Sequence, residues 1–201
     1  MEEILKMPDN ITYVSTLSGG LDSALATYLL MYYKPGTRVV LSSICLEHMD
    51  NYNLNNVKNI RTYLQKHFPD RIREHRIGYF ADRDAARAGR GTQTSCLVNE
   101  FTALGLLSGM TLNPVDVPEL MDSERDDTRD AVRPVRTLSR TNIWHYQPFI
   151  NHDKKYVAEL YQQHNLQDLA DLTVSCESLT SPRPCKKCWW CREKHWAFGY
   201  Y

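Results

Sequence analysis

The sequence predicts an α/β fold: a doubly wound parallel sheet followed by a small cysteine-rich C-terminal appendage. Three observations carry this expectation. Apolar β-like runs at residues 11–17, 38–46 and 72–80 alternate with segments of helical periodicity, the pattern of a parallel sheet covered by helices. A glycine pair, Gly19-Gly20, stands where the first run gives way to the first helical pattern. Four of the six cysteines fall between residue 176 and the end of the chain.

The first run delivers the chain to Ser18-Gly19-Gly20-Leu21-Asp22-Ser23. Leu21, Ala24, Leu25, Tyr28, Leu29 and Tyr32 then recur at helical spacing, so the glycines sit at a strand-to-helix junction. Such a junction suits phosphate. Paired glycines let the backbone approach an anion with positive φ, and the following helix offers free N–H groups and the positive end of its dipole. Ser18 and Ser23 add hydroxyl donors. For a bare glycine pair an ordinary turn capped by Asp22 is the alternative; the full six-residue string argues against it. No Gly-Lys-Ser/Thr follows, so this is not a Walker A loop.

Leu54, Val57, Ile60, Tyr63, Leu64 and Phe68 form a crossover helix between the second and third runs, ending near Pro69. Leu97, Val98, Phe101, Leu104 and Leu107 mark a further helix, and a short fourth strand is expected near residues 110–112. Doubly wound sheets bind ligands at the carboxyl ends of their strands, where the glycine loop lies and where His48 and Asp50 follow the second run. Across residues 113–140 the periodicity dissolves into an acidic stretch carrying Asp116, Glu119, Asp122, Glu124, Asp126, Asp127 and Asp130. It reads either as a solvated loop or as a lid or recognition element. Asp153 is placed to cap a helix bearing Val157, Leu160 and Tyr161. The expected division is residues 1–172, with 113–140 irregular, and a cysteine module at residues 173–201.

With 201 residues, the chain is large enough for one real core. Its 42% apolar and 24% charged content is ordinary for a globular protein, and its formal charge is zero. That balance gives no global pull toward nucleic acid or anionic membranes. No apolar run approaches the ~20 residues of a membrane span, and Met-Glu-Glu-Ile-Leu-Lys lacks the regions of a signal peptide. The expectation is a cytoplasmic protein with reduced thiols, in which clustered cysteines point to metal.

Cys176, Cys185, Cys188 and Cys191 match a closed tetrahedral site for Zn²⁺. An iron–sulfur cluster competes with this reading, and four buried unliganded cysteines are the plain alternative. The short Cys-x2-Cys spacings, with no Cys-Pro after the last, favour zinc. Lys186, Lys187 and Arg192 would offset the thiolate charge, and a pinned tail would position Trp189, Trp190 and Trp196 beside the main domain. Cys45 ends an apolar run and reads as a small buried hydrophobe. Cys96, read as opening a helix, is the better placed for a reactive thiol.

The string Ser18 to Ser23 resembles the Ser-Gly-Gly-x-Asp-Ser signature of the PP-loop family, the N-type ATP pyrophosphatases. That resemblance implies a Rossmann-like fold of adenine nucleotide alpha hydrolase type. It also implies an enzyme that grips the β,γ-pyrophosphate of ATP while a substrate oxygen attacks the α-phosphate. Ser18, Gly19, Gly20, Leu21, Asp22 and Ser23 would then form the ATP site, with Asp22 and Ser23 catalytic and Asp22 organising Mg²⁺.

Thr173-Val-Ser-Cys176 followed by Cys185-Lys-Lys-Cys188-Trp-Trp-Cys191 is similar to the zinc end of the 7-cyano-7-deazaguanine synthases, the QueC family. Pro148-Phe-Ile-Asn-His-Asp-Lys154 resembles that family's Pro-Leu stretch, and Gly89-Arg90-Gly91 its Gly-Arg-Asn turn. The acidic 113–140 stretch occupies the place of its Ser-Gly-Tyr-Pro-Asp-Cys-Arg substrate segment. The resemblance implies an ATP-dependent ligase taking 7-carboxy-7-deazaguanine and ammonia to an amide and nitrile, releasing AMP and pyrophosphate. Arg90 and Lys154 are its candidate catalytic cations, with a solvated surface cation the alternative for each. A protein or tRNA acceptor is the other reading. Thiolation of tRNA would need a catalytic cysteine pair or a labile iron–sulfur cluster, and a protein acceptor would use the acidic segment and exposed tryptophans as partner surfaces. A non-catalytic nucleotide sensor is a further possibility. Family members are often dimers, so the resemblance admits a homodimer.

Overall fold

The computed structural model describes residues 1–47, 52–121, 126–139, 142–178 and 184–201. A short helix α1 (Glu2–Leu5) leads to β1 (Thr12–Thr16), α2 (Leu21–Tyr33), β2 (Arg38–Leu46), α3 (Tyr52–His67), β3 (Ile72–Phe80) and α4 (Arg83–Glu100). Then follow β4 (Gly105–Ser108), two 3-10 turns (Pro118–Leu120 and Asp127–Arg129), β5 (Arg136–Leu138) and β6 (Trp144–Tyr146). Three helices, α5 (Lys154–Gln163), α6 (Gln167–Asp171) and α7 (Trp189–Phe198), complete the described elements.

The strands form one sheet in the order β3-β2-β1-β4-β6-β5. All neighbours pair parallel except β5, which runs antiparallel to β6 at one edge. Side chains of the central strands alternate between two cores. Tyr13, Val39, Leu41 and Leu107 pack with residues of α2, α3 and α5, whereas Val14, Val40 and Leu106 pack with Leu97 and Val98 of α4. Burial on both faces is why these strands read as continuous apolar runs. Among the described residues, no helix is long and apolar enough to cross a membrane.

The predicted second and third strands coincide with β2 and β3, and Asp153 caps α5 by accepting from the Tyr156 N–H at 3.2 Å. Three expectations are corrected. Leu104 and Leu107 do not continue the helix of Leu97: α4 ends at Glu100, Thr102 takes φ 47°, and the chain returns as β4. The fourth strand is therefore Gly105–Ser108, not residues 110–112. Leu106 and Leu107 serve opposite faces, and Gly105 lies so close to the Tyr13 ring that a Cβ would come within 2.3 Å of it. Gly89-Arg90-Gly91, expected as a turn, lies inside α4, whose start is fixed by Asp82 accepting from the Ala85 N–H.

Candidate functional site

The sheet order reverses between β1 and β4, the switch point at which doubly wound sheets leave a crevice. The loop of residues 18–20 leaves β1 there, with Gly19 at φ 87° and Gly20 as the N-cap of α2. The two serines of the string hold the loop closed. The Ser18 N–H donates to Ser23 Oγ at 3.1 Å, the two hydroxyls lie 3.0 Å apart, and the Gly20 N–H reaches Ser18 Oγ at 3.3 Å. The loop thus presents an N-terminal helical turn and a pair of hydroxyls to one place, the arrangement that holds a phosphate. Gly109, after β4, packs directly against this turn. A Cβ there would stand 2.2 Å from the Asp22 carbonyl carbon and 2.3 Å from the Ser23 nitrogen.

The Asp22 carboxylate belongs to a largely buried chain of alternating charge. Lys154, only 5% exposed, donates to both carboxylate oxygens of Asp22 at 2.7 and 2.6 Å. The same ammonium lies 3.7 Å from Glu193 Oε2. Glu193, 1% exposed on α7, is in turn paired with the Arg129 guanidinium. Arg129 donates to the Thr111 carbonyl at 2.8 Å and the Thr111 hydroxyl at 2.7 Å, and that hydroxyl donates to Asp22 Oδ2 at 3.4 Å. The Arg129 guanidinium also lies 5.0 Å from the ring centre of Trp189, whose indole N–H donates to the Leu120 carbonyl. Alternation of sign is what allows these charges to be buried, because an uncompensated ion there would be costly.

The four cysteines of the C-terminal array come together with their sulfurs all within 4.8 Å of one another. Cys185 Sγ and Cys191 Sγ are 4.0 Å apart. A tetrahedral ion with bonds of about 2.3 Å to sulfur separates its ligands by about 3.8 Å, so the donor set fits a single metal ion. Burial pushes the Cys188 and Cys191 thiols up. Burial opposes ionisation at Cys185 too, but the backbone N–H groups of Cys188 and Lys187 bring it down to about 6. The approach to the cluster is tied to the glycine loop, since the Val174 N–H donates to the Gly19 carbonyl at 2.9 Å. A cavity of about 230 Å³ opens beside this link, lined by Thr173, Ser175, Cys176, Lys194 and Tyr200 among others. Lys194 is 5% exposed and donates to the Thr173 carbonyl, and burial draws its pKa down.

Of the residues singled out from sequence, Ser18, Gly19, Gly20, Asp22, Ser23 and Lys154 converge on one place and the four cysteines on another, whereas the Leu21 side chain packs into the core, so only its backbone can belong to the loop site. Arg90 is exposed on α4 and faces Glu177, as does Arg83, which donates to the Glu177 carbonyl at 2.5 Å. Cys45 is buried as expected. Cys96 is exposed near the C-terminal end of α4 rather than at its start, which removes the argument for an activated thiol. Trp189 is fully buried, so it is no part of an exposed partner surface. His48 and Asp50, with Asp122 and Glu124 of the acidic stretch, lie outside the described residues.

Sequence reasoning missed Gly109, Thr111, Arg129 and Glu193. The last had a signal: it is the only acidic residue between Cys185 and Tyr201, amid lysines, an arginine and aromatics. The others have none, because their positions depend on how β4 and the 3-10 turns fold back over α2.

No protein-family model matches the chain, and no curated protein matches it in sequence. Solved structures do match. The U34-tRNA thiolase NcsA from Methanococcus maripaludis, determined with its [4Fe-4S] cluster, superposes with a TM-score of 0.56 at 16% identity, over 96% of this chain and 67% of that one. NMN synthetase from Francisella tularensis gives 0.56 at 13% identity, over 96% and 79%. At such identities the likeness speaks to architecture alone: the chain shares the α/β fold of these two proteins, built here on a six-stranded, mostly parallel sheet, with a C-terminal cysteine cluster able to hold a metal.

Proposed function

We propose that the protein is an ATP-dependent adenylating enzyme of the PP-loop kind. The observation that carries this reading is the loop of residues 18–23 at the switch point between β1 and β4, backed by Lys154 on Asp22. An acceptor oxygen would bond to the α-phosphorus as the bond to the bridging β-oxygen breaks, and pyrophosphate would leave into the loop. The Ser18 and Ser23 hydroxyls and the first N–H groups of α2 would receive that charge without reorganising. Lys154 would supply a fixed positive charge beside it. Asp22 would hold Mg²⁺, which neutralises phosphate charge when bound. Arg90 would enter only if the nucleotide or acceptor reaches the exposed face of α4.

For the cysteine cluster we propose structural Zn²⁺, supported by four sulfurs too close together to enclose a multi-iron cage. The acceptor we favour is a carboxylated deazapurine: its acyl-adenylate takes ammonia to give an amide with release of AMP, and a second ATP adenylates the amide oxygen, which leaves with AMP as the nitrile forms, as the resemblance of the 173–191 segment to QueC proteins suggests. The cavity beside Thr173 and Lys194 would offer room for a small planar acceptor, and one of its lining residues, Val174, is hydrogen-bonded to Gly19 of the loop. A cytoplasmic homodimer is part of this reading. The second reading, transfer to a tRNA or protein acceptor, draws on the likeness to a tRNA thiolase. Cys96 lies near the C-terminal end of α4 and not at a helix N-terminus, which weighs against its use as a thiolating cysteine.

The test is release of AMP and pyrophosphate from Mg-ATP by the zinc-loaded protein with 7-carboxy-7-deazaguanine and ammonium, followed by mass analysis of the base. Amide or nitrile product supports the ligase. Nucleotide binding without conversion moves the acceptor to RNA or protein, and failure to bind ATP removes the reading altogether.

A further inference from the structure

The charge chain from Asp22 to Arg129 joins four separate segments of the sequence. Asp22 belongs to the glycine-loop helix, Lys154 opens α5, Arg129 lies in the acidic stretch, and Glu193 is on α7, in the same helical turn as the cluster residue Cys191. Glu193 is the junction. One of its oxygens pairs with Arg129, and the other lies 3.7 Å from the Lys154 ammonium and 3.4 Å from Arg129 Nη1. Nothing in the catalytic proposal requires it. It meets Asp22 through Lys154, and it is among the most buried charges of the described residues, at 1% exposure.

Resting on the ATP-site reading above, we infer that Glu193 is a positioning residue that couples metal occupancy of the cysteine cluster to the nucleotide loop. Lys154 has two carboxylates for partners, Asp22 on the loop and Glu193 behind it. When Asp22 turns its charge to a magnesium-bound nucleotide, Glu193 is the counter-ion that keeps the ammonium fixed in a poorly solvated place. Glu193 is itself fixed by the helix it stands on. That helix begins at Trp189, directly after Cys188, and carries Cys191 in its first turn, so a metal gripping Cys188 and Cys191 sets where Glu193 stands. The backbone bond from Val174, two residues before Cys176, to Gly19 is a second and uncharged link between the same two places.

Coupling of this kind is reciprocal, so it can be read from the metal side. The experiment measures zinc affinity by competition with a chromophoric chelator, with and without Mg²⁺ and the α,β-methylene analogue of ATP, in the full-length protein. The analogue should tighten zinc retention about tenfold in the wild type. Glu193→Gln keeps the shape and removes the charge. It should still bind one zinc per chain, while the tightening shrinks at least threefold. Arg129→Met/Glu193→Gln, which removes a paired charge from each side, guards against a Glu193→Gln protein that fails to fold, and should show the same shrinkage. An unchanged factor in either variant would mean that metal and nucleotide are linked only through global folding, and would overturn the inference. So would a wild-type factor of one in a protein that binds the analogue. No binding of the analogue by zinc-loaded wild type would instead strike down the ATP site, and the inference with it.

Discussion

Replacing Lys154 by methionine isolates the energetics on which the site depends. The substitution keeps most of the side-chain volume and deletes the ammonium lying 2.6 and 2.7 Å from the Asp22 oxygens and 3.7 Å from Glu193. At an effective dielectric of about 20, one charge pair about 4 Å apart is worth about 4 kcal/mol. Glu193 keeps Arg129, so Asp22 bears most of the loss, and removing one member of a buried pair costs about 3–5 kcal/mol. In a chain of 201 residues each kcal/mol lowers Tm by about 2–4 °C, so Lys154→Met should melt about 6–20 °C below the wild type. Asp22 retains some contact with water, which favours the lower end. Calorimetric or circular-dichroism melting of metal-loaded protein reads this directly. Two comparisons guard the interpretation. Asp22→Asn/Lys154→Met, which removes both charges, should recover at least half of the lost Tm. Arg76→Met breaks a bidentate but exposed pair with Glu100 and should leave Tm unchanged. If Lys154→Met melts within about 2 °C of the wild type, the buried ionic chain does not hold the site together and the reasoning fails.

Other expectations follow from single contacts. Burial holds His75 down at about 4 from an ordinary 6.5, with Arg61 and Lys58 adding to the effect, and its Nε2 lies 2.8 Å from Ser43 Oγ. Between those pH values the unfolded chain binds the proton and the folded chain does not, so stability is full above pH 6.5 and is lost as pH falls toward 4. That swing amounts to about 3 kcal/mol at most; His75→Gln should flatten the Tm-versus-pH curve in this window. An unchanged slope there would assign the acid loss elsewhere, half-buried His145, also drawn down by burial, being the first alternative. Gly109→Ala should both destabilise the fold and weaken ATP binding, because its Cβ would meet the backbone of Asp22 and Ser23. Gly91→Ala, an exposed position within α4 with nothing near the new atom, should stabilise by about 0.5–1 kcal/mol; equal melting of the two glycine variants would contradict this reading. Cys188→Ser should lose bound metal and thermal stability together, as measured by elemental analysis and melting, and a stable metal-free variant would end the structural-metal proposal.

The strand-to-helix junction at Gly19-Gly20, the runs that form β2 and β3, the cap at Asp153 and the cysteine array are all legible along the chain. Each is a local signal, carried by propensity, periodicity or spacing within a few residues. Where two readings shared one pattern, sequence could not choose. The leucines from 97 to 107 fit a helix until the reversal at Thr102 and the close packing of Gly105 on Tyr13 divide them between α4 and β4. β5 and β6 were illegible because three-residue strands carry too little pattern to stand out. That Lys154 faces Asp22, and that Glu193 and Arg129 complete a chain behind it, emerges from the packing of distant segments. A buried ion's identity depends on which charges arrive beside it from remote segments, and no spacing along the chain records that meeting.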